Sequence, residues 1–207
     1  NRFESNMIDL VKTYSPDYLN LGVEVNYYAL TSPDDFAFFL KLFGDLKTKL
    51  KLINPSLKVG LSFQLELLYG HHKNWNESPT LATLDAIQAD IDFLGISTYP
   101  NIAIFENDPI SHTLNYLDSL RNRYHIPIGI SETAVSSILY NQDQRKNYLQ
   151  AIYRKAKKLK FHVVIWSSII DNPNGNQWSD KMGLLDSKGM PKSEFPIWET
   201  ESKKFIK

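Results

Sequence analysis

Short runs rich in apolar and β-branched residues return along this chain every 34 to 39 residues. They occupy Leu19 to Val25, Val59 to Leu67, Ile91 to Thr98, Ile126 to Ile130 and His162 to Trp166, and begin near positions 19, 58, 92, 127 and 162. A step of that length holds one strand, one covering helix and two short connections, the repeating unit of a parallel α/β sheet. The intervals carry helical spacing. Ser32-Pro33-Asp34-Asp35 supplies a cap, an N1 proline and an acidic first turn, and Phe36, Phe39, Leu40, Phe43, Leu46 and Leu50 follow on one face. Lys47, Lys49 and Lys51 suit the negative end of that helix.

The same grammar recurs at Asp108-Pro109 before Leu114, Leu117 and Leu120. It returns at Asn141, with Gln144 three residues on, before Tyr148, Leu149, Ile152, Tyr153, Ala156 and Leu159. Weaker patterns predict helices over Leu81 to Ala89 and from Glu194 onward, where Phe195, Trp198 and Phe205 can pack; the opening segment to Tyr14 reads as one more. No Gly/Ser linker, low-complexity stretch or charge block divides the chain, so residues 1–207 are expected to form one domain.

Five βα units admit two architectures. An open doubly wound sheet fits 207 residues as they stand. A (β/α)8 barrel needs eight units, and the present ones, entering through a helix and leaving through a helix, look like its last five. The expected class is therefore α/β, a (β/α)8 TIM barrel of which strands 4 to 8 are represented and the first three βα units are lacking, with the five-stranded doubly wound sheet as the rival.

Charge and composition exclude several function classes. Lys and Arg number 23 against 23 Asp and Glu, so no net field draws the chain to nucleic acid or an anionic membrane. The absence of cysteine removes disulfides, thiolate catalysis and sulfur-ligated metals, and the apolar runs are too short to span a bilayer. The basic cluster Arg154, Lys155, Lys157, Lys158 and Lys160 reads as a solvated helix end. Asn1-Arg2-Phe3-Glu4 is no secretory signal; secretion or a periplasmic location is expected only if a leader precedes it.

Two glutamates stand where hydrophobic alternation does not call for them, in Leu21-Gly22-Val23-Glu24-Val25-Asn26 and in Ile128-Gly129-Ile130-Ser131-Glu132-Thr133. A carboxylate at a strand end must lose water or find a partner, at a cost of several kcal/mol by order of magnitude, and chemistry is one reason to bear it. The alternative for each is a satisfied ion pair with a nearby Lys or Arg. Glu24 and Glu132 lie 108 residues apart, three repeat units, which in an eight-stranded barrel puts them on one rim. Retaining glycoside hydrolysis needs such a pair about 5 to 5.5 Å apart, one protonating the leaving oxygen and one attacking the anomeric carbon.

In order and spacing these segments resemble the C-terminal part of the clan A glycoside hydrolases, from Tyr18 to Trp198. Leu21 to Asn26 takes the place of strand 4, Asp92-Phe93-Leu94-Gly95-Ile96-Ser97-Thr98-Tyr99-Pro100 that of strand 6, and Pro127 to Thr133 that of strand 7. Val163-Val164-Ile165-Trp166 resembles strand 8, and Gly183-Leu184-Leu185-Asp186 through Gly189-Met190-Pro191-Lys192 the segment that follows it. The resemblance implies a retaining glycosidase acting on a β-linked polysaccharide or oligosaccharide without metal or organic cofactor, and strands 6 and 7 are most similar to the endo-galactanase-like branch. It makes Glu24 the general acid/base, Glu132 the nucleophile, Tyr99 a hydrogen-bond partner of the nucleophile and Trp166 a sugar-facing platform. An aromatic face suits pyranose C–H surfaces, while core packing is the plainer role for Trp166 and a capped strand end for Tyr99.

One position departs from the family. Val23 stands where Asn usually precedes the acid/base, and its side chain can neither donate nor accept. Either Asn26 or a residue upstream supplies the contact to the sugar, or catalysis is weakened, altered or lost; a carbohydrate-binding barrel without activity is the corresponding alternative.

Further candidates are softer. Gln64 and Glu66 alternate at the end of the second strand and are expected to point into the mouth. Tyr69-Gly70-His71-His72-Lys73-Asn74-Trp75-Asn76 is polar and aromatic and follows that strand, which makes His71 a candidate subsite residue. His71 and His72 share no third ligand at metal-binding spacing. Asp171, Asn172, Asn174, Gln177 and Trp178 form a long loop after the last strand, with Trp178 the candidate ligand contact, and Asn76-Glu77-Ser78 matches a glycosylation sequon.

Overall fold

The five predicted strands form, all parallel, and they pair in chain order with no crossover: β1 (Tyr18–Asn20), β2 (Lys58–Gln64), β3 (Phe93–Thr98), β4 (Ile128–Thr133) and β5 (Val164–Trp166). The structure is a computed structural model that describes residues 2–74, 78–103 and 109–204. A doubly wound sheet reverses its strand order at a switch point. Here the order never reverses, and consecutive right-handed crossovers then lay the connecting helices on the same side of the sheet.

The other side closes on itself. Strands lie about 4.8 Å apart, so the outer members of a flat five-stranded sheet would stand about 19 Å from each other. Yet the Tyr18 ring of β1 lies 5.3 Å from Phe93 of β3 and 6.0 Å from His162, just before β5. The sheet is therefore curved into more than half of a barrel. Small residues on the concave side permit the curvature: a Cβ on Gly95 would come within 2.8 Å of the Ser62 Cβ on the neighbouring strand.

Helices α1 (Arg2–Tyr14), α2 (Val25–Thr31), α3 (Pro33–Ile53), α4 (Leu65–Leu68), α5 (Leu81–Ile87), α6 (Pro109–Arg123), α7 (Gln142–Leu159) and α8 (Phe195–Ser202) complete the fold. Phe36, Phe43, Leu46 and Leu50 of α3, Leu117 and Leu120 of α6, and Tyr148, Leu149, Ile152 and Ala156 of α7 are buried against the sheet, as their spacing predicts. Asn141 and Gln144 form the expected capping box. Ser32 does not cap α3 with its side chain; it also ends α2, with its backbone N–H donated to the Tyr28 carbonyl. Buried Arg145 and Glu194, 2.9 Å apart, tie α7 to the start of α8. Lys155 and Lys158 of the basic cluster both reach Asp118.

Strand limits differ from expectation where polar side chains intervene. The first strand stops at Asn20, ahead of a left-handed residue at Glu24. The second stops at Gln64, whose side-chain oxygen accepts the Leu67 N–H and starts α4. The fourth runs on to Thr133. No helix among the described residues is long and apolar enough to cross a membrane. Asp108, the sequon asparagine Asn76 with Glu77, Trp75 and Phe205 lie outside the described residues.

Candidate active site

Glu132 reaches the concave face because β4 carries a bulge. Gly95 pairs with Gly129 and Ile96 with Ile130, but Ser97 pairs with Glu132, which leaves Ser131 as the extra residue. Strict alternation would have turned Glu132 to the helix side with Ile128 and Ile130; one inserted residue reverses its direction. On the concave side it meets Tyr99, whose hydroxyl donates to Glu132 Oε2 at 2.8 Å. The Tyr99 oxygen also lies 2.8 Å from Ser167 Oγ. A phenol has one proton, so with that proton on Glu132 the tyrosine oxygen accepts from Ser167. Burial and the charges of Glu132 and Glu24 raise the Tyr99 pKa and keep it a donor.

Glu24 is placed by a strained backbone. At φ 51° and ψ 44° it is left-handed, which costs a non-glycine residue about 1 kcal/mol. Its carboxylate does not cap α2, although it stands at that helix's N-cap. Instead Glu24 Oε1 accepts from Ser97 Oγ of β3 at 2.6 Å, while its backbone N–H is donated to Ser62 Oγ of β2 at 3.3 Å. Burial raises the Glu24 pKa, the Ser97 hydrogen bond opposes that rise, and the charge of Glu132 adds to it. Ser97 thus holds Glu24 with its hydroxyl and faces Glu132 in register. The two carboxylates share one concave mouth.

Trp178 joins this cluster. It lies on a short 3-10 turn, Trp178–Lys181, and meets the Tyr99 ring edge-on at 5.9 Å. Its loop is held in part by its own polar residues: Asn172 Nδ2 donates to Asp180, and Asp171 is buried against Lys192 at 2.7 Å. His71 stands apart, with Nδ1 2.9 Å from the Tyr116 hydroxyl on α6, while His72 Nδ1 accepts from the Asn74 N–H.

Four expected ligand contacts are engaged elsewhere. Trp166 is 95% buried, lies in register with Thr133, whose hydroxyl meets Tyr148 of α7, and donates its indole N–H to the Met182 carbonyl at 2.8 Å. It faces the helix layer, and Ser167, the next residue, takes the concave position. Asn26 is fully buried: its amide donates to the Gln64 carbonyl and Thr80 Oγ1, and its oxygen accepts the Gln64 N–H, so it clamps α2 to β2 and offers no contact in place of Val23. Gln64 caps α4 and donates to Glu66, and Glu66 is buried behind β3 under the Thr98 hydroxyl at 2.6 Å. Neither opens into the mouth. Val23 itself is 57% exposed.

Ser97 and Ser167 are the site residues that sequence reasoning missed. The signal available was their phase: Ser97 lies two residues before Tyr99, and Ser167 directly follows the strand-8-like run.

No family model matches the sequence, and no curated protein matches it. Solved structures match its fold. The Ignisphaera aggregans GH53 catalytic domain superposes with a TM-score of 0.62 at 15% identity, over 94% of this chain and 65% of that one. A glycoside hydrolase family 17 β-1,3-glucanosyltransferase from Rhizomucor miehei gives 0.63 at 19% identity over 92% and 69%. A structure of fungal β-1,4-galactanases gives 0.67 at 12% identity over 96% and 68%. The chain thus spans about two thirds of the length of each of these glycoside-active proteins. Five parallel strands in unbroken order, curved around a mouth that holds two glutamates, are a partial (β/α)8 barrel of the kind found in these glycoside hydrolases.

Proposed function

We propose that this chain is the strand 4 to 8 portion of a retaining β-glycoside hydrolase, acting on a β-linked polysaccharide or oligosaccharide by double displacement. The observation that carries this reading is the pairing of Glu24 and Glu132 on one concave rim, each held by its own hydroxyl donor. In the first step the protonated Glu24 gives its proton to the departing glycosidic oxygen. Glu132 attacks the anomeric carbon and forms a glycosyl ester. In the second step Glu24, now a carboxylate, takes a proton from a water whose oxygen attacks the anomeric carbon; the ester bond to Glu132 breaks, which releases the sugar and restores both carboxyl groups. Tyr99 orients Glu132, and Trp178 borders the sugar site. No step requires a cofactor. Residues 1–207 act as one domain.

A second reading is a carbohydrate-binding barrel without turnover, favoured by Val23 in the position that resembles the family's asparagine. One experiment separates the two. The chain, with and without an upstream segment, is assayed on activated aryl β-glycosides beside its Glu132→Gln variant. Turnover that the variant loses supports hydrolysis, turnover that survives in the variant refutes the nucleophile, and glycan binding without turnover supports the second reading.

A further inference from the structure

The two-glutamate mechanism leaves one buried carboxylate without a task. Glu66 is fully buried, and no ion pair reaches it among the described residues. A burial of that kind is tolerated only where donors replace the lost water. Two do: Thr98 Oγ1 and Gln64 Nε2. Both donate to the carboxylate and oppose the effect of burial on it.

The first of these donors is one covalent step from the candidate site. Thr98 ends β3, and the next residue, Tyr99, holds Glu132 from the concave side. The Thr98 carbonyl in turn accepts from Thr133 Oγ1 at 2.8 Å, and Thr133 is the next residue after Glu132. Glu66 therefore holds, from the helix side, the side chain of Thr98, which adjoins Tyr99 and whose carbonyl is bonded to the neighbour of Glu132. We propose that Glu66 is a positioning residue whose ionised carboxylate holds the ends of β3 and β4 so that Tyr99 donates to Glu132. The proposal deepens the hydrolase reading and rests on it for its functional meaning, although the positioning itself is measurable without turnover.

The pH at which this grip changes follows from its surroundings. Burial pushes the Glu66 carboxyl up to about 7 against the pull of its donors. The titratable groups whose charge interacts with it are the phenols Tyr116 of α6, Tyr140 before α7 and Tyr148 of α7, all shifted upward and neutral over this range. Tyr99 is likewise neutral over this range. Once protonated, Glu66 presents a hydrogen toward groups that are themselves donors. The Thr98 hydroxyl must turn its own proton away to accept that hydrogen, or the Gln64 amide contact is lost, and the hold on the end of β3 changes in either case.

The test is carboxyl carbon NMR on the full chain labelled at the glutamate side-chain carbonyl, with signals assigned through Glu132→Gln and Glu66→Gln. The Glu132 signal is expected to show an inflection near pH 7 that coincides with Glu66 and disappears in Glu66→Gln. Thr98→Val removes one donor while keeping shape, and should move both inflections upward together by roughly one pH unit. It provides the answer if Glu66→Gln does not fold. A Glu132 signal flat between about pH 6 and 8, or one whose inflection ignores both substitutions, overturns the proposal. Coupled inflections in a protein that turns over no aryl glycoside uphold the positioning and sink the hydrolase reading; turnover without coupling does the reverse.

Discussion

Ser97 offers the sharpest handle on the acid/base. Its hydroxyl donates to Glu24 Oε1 over 2.6 Å, a short charge-assisted contact in a half-buried mouth. Such a bond to a charged group contributes about 1.5–3 kcal/mol to the ionised form. At about 1.4 kcal/mol per pH unit, Ser97→Ala should raise the Glu24 pKa by about one to two units, the lower figure applying if water replaces the hydroxyl. The direction follows from the assignment of forces: burial and the charge of Glu132 already push the carboxyl up, and Ser97 is the group opposing them. A general acid must be protonated to act, so the basic limb of the kcat/KM profile should move to higher pH by that amount. The assay is hydrolysis of an activated aryl β-glycoside across pH, with thermal unfolding as the control for folding. A basic limb that stays put or moves down would refute Glu24 as the proton donor held by Ser97.

Other perturbations test other parts of the molecule. Trp178→Ala removes the ring that borders Tyr99 and should raise KM more than it lowers kcat; the opposite split would exclude a sugar contact. Glu194→Ala leaves Arg145 buried without its charge partner and should cost about 3–5 kcal/mol in denaturant unfolding, with a loss below 1 kcal/mol counting against it. Glu66 makes stability depend on pH in the less common direction. Its folded pKa of about 7 exceeds the ordinary 4.5, so the folded chain binds the extra proton between those values. Its contribution is full below about pH 4.5 and falls by roughly 3 kcal/mol as pH rises through 7. Glu66→Gln should flatten that slope in urea titrations at pH 5 and pH 8, and an unchanged slope would assign it to another group.

The recurrence of β-rich runs announced parallel βα units, because a chain that must bury one strand and one helix face per unit repeats its apolar pattern at that length. The capping box at Asn141 and the core stripes of α3 and α7 were legible for the same local reason. Glu24 and Glu132 could be singled out because an ionisable residue stands out in an apolar run.

What the sequence could not convey depended on direction and contact. Alternation alone points Glu132 away from the mouth, and only a bulge against β3 turns it inward. Trp166 and Ser167 are neighbours in sequence, yet the register with Thr133 sends the indole to the helix layer and the hydroxyl to Tyr99. Asn26, Gln64 and Glu66 look like mouth residues in one dimension and are bound in the interior by partners from other strands and helices. Local composition determined which elements form, because helix and strand periodicities are short-range. Pairing register and curvature decided which side chains meet, because a shift of one residue in a strand reverses every face it presents.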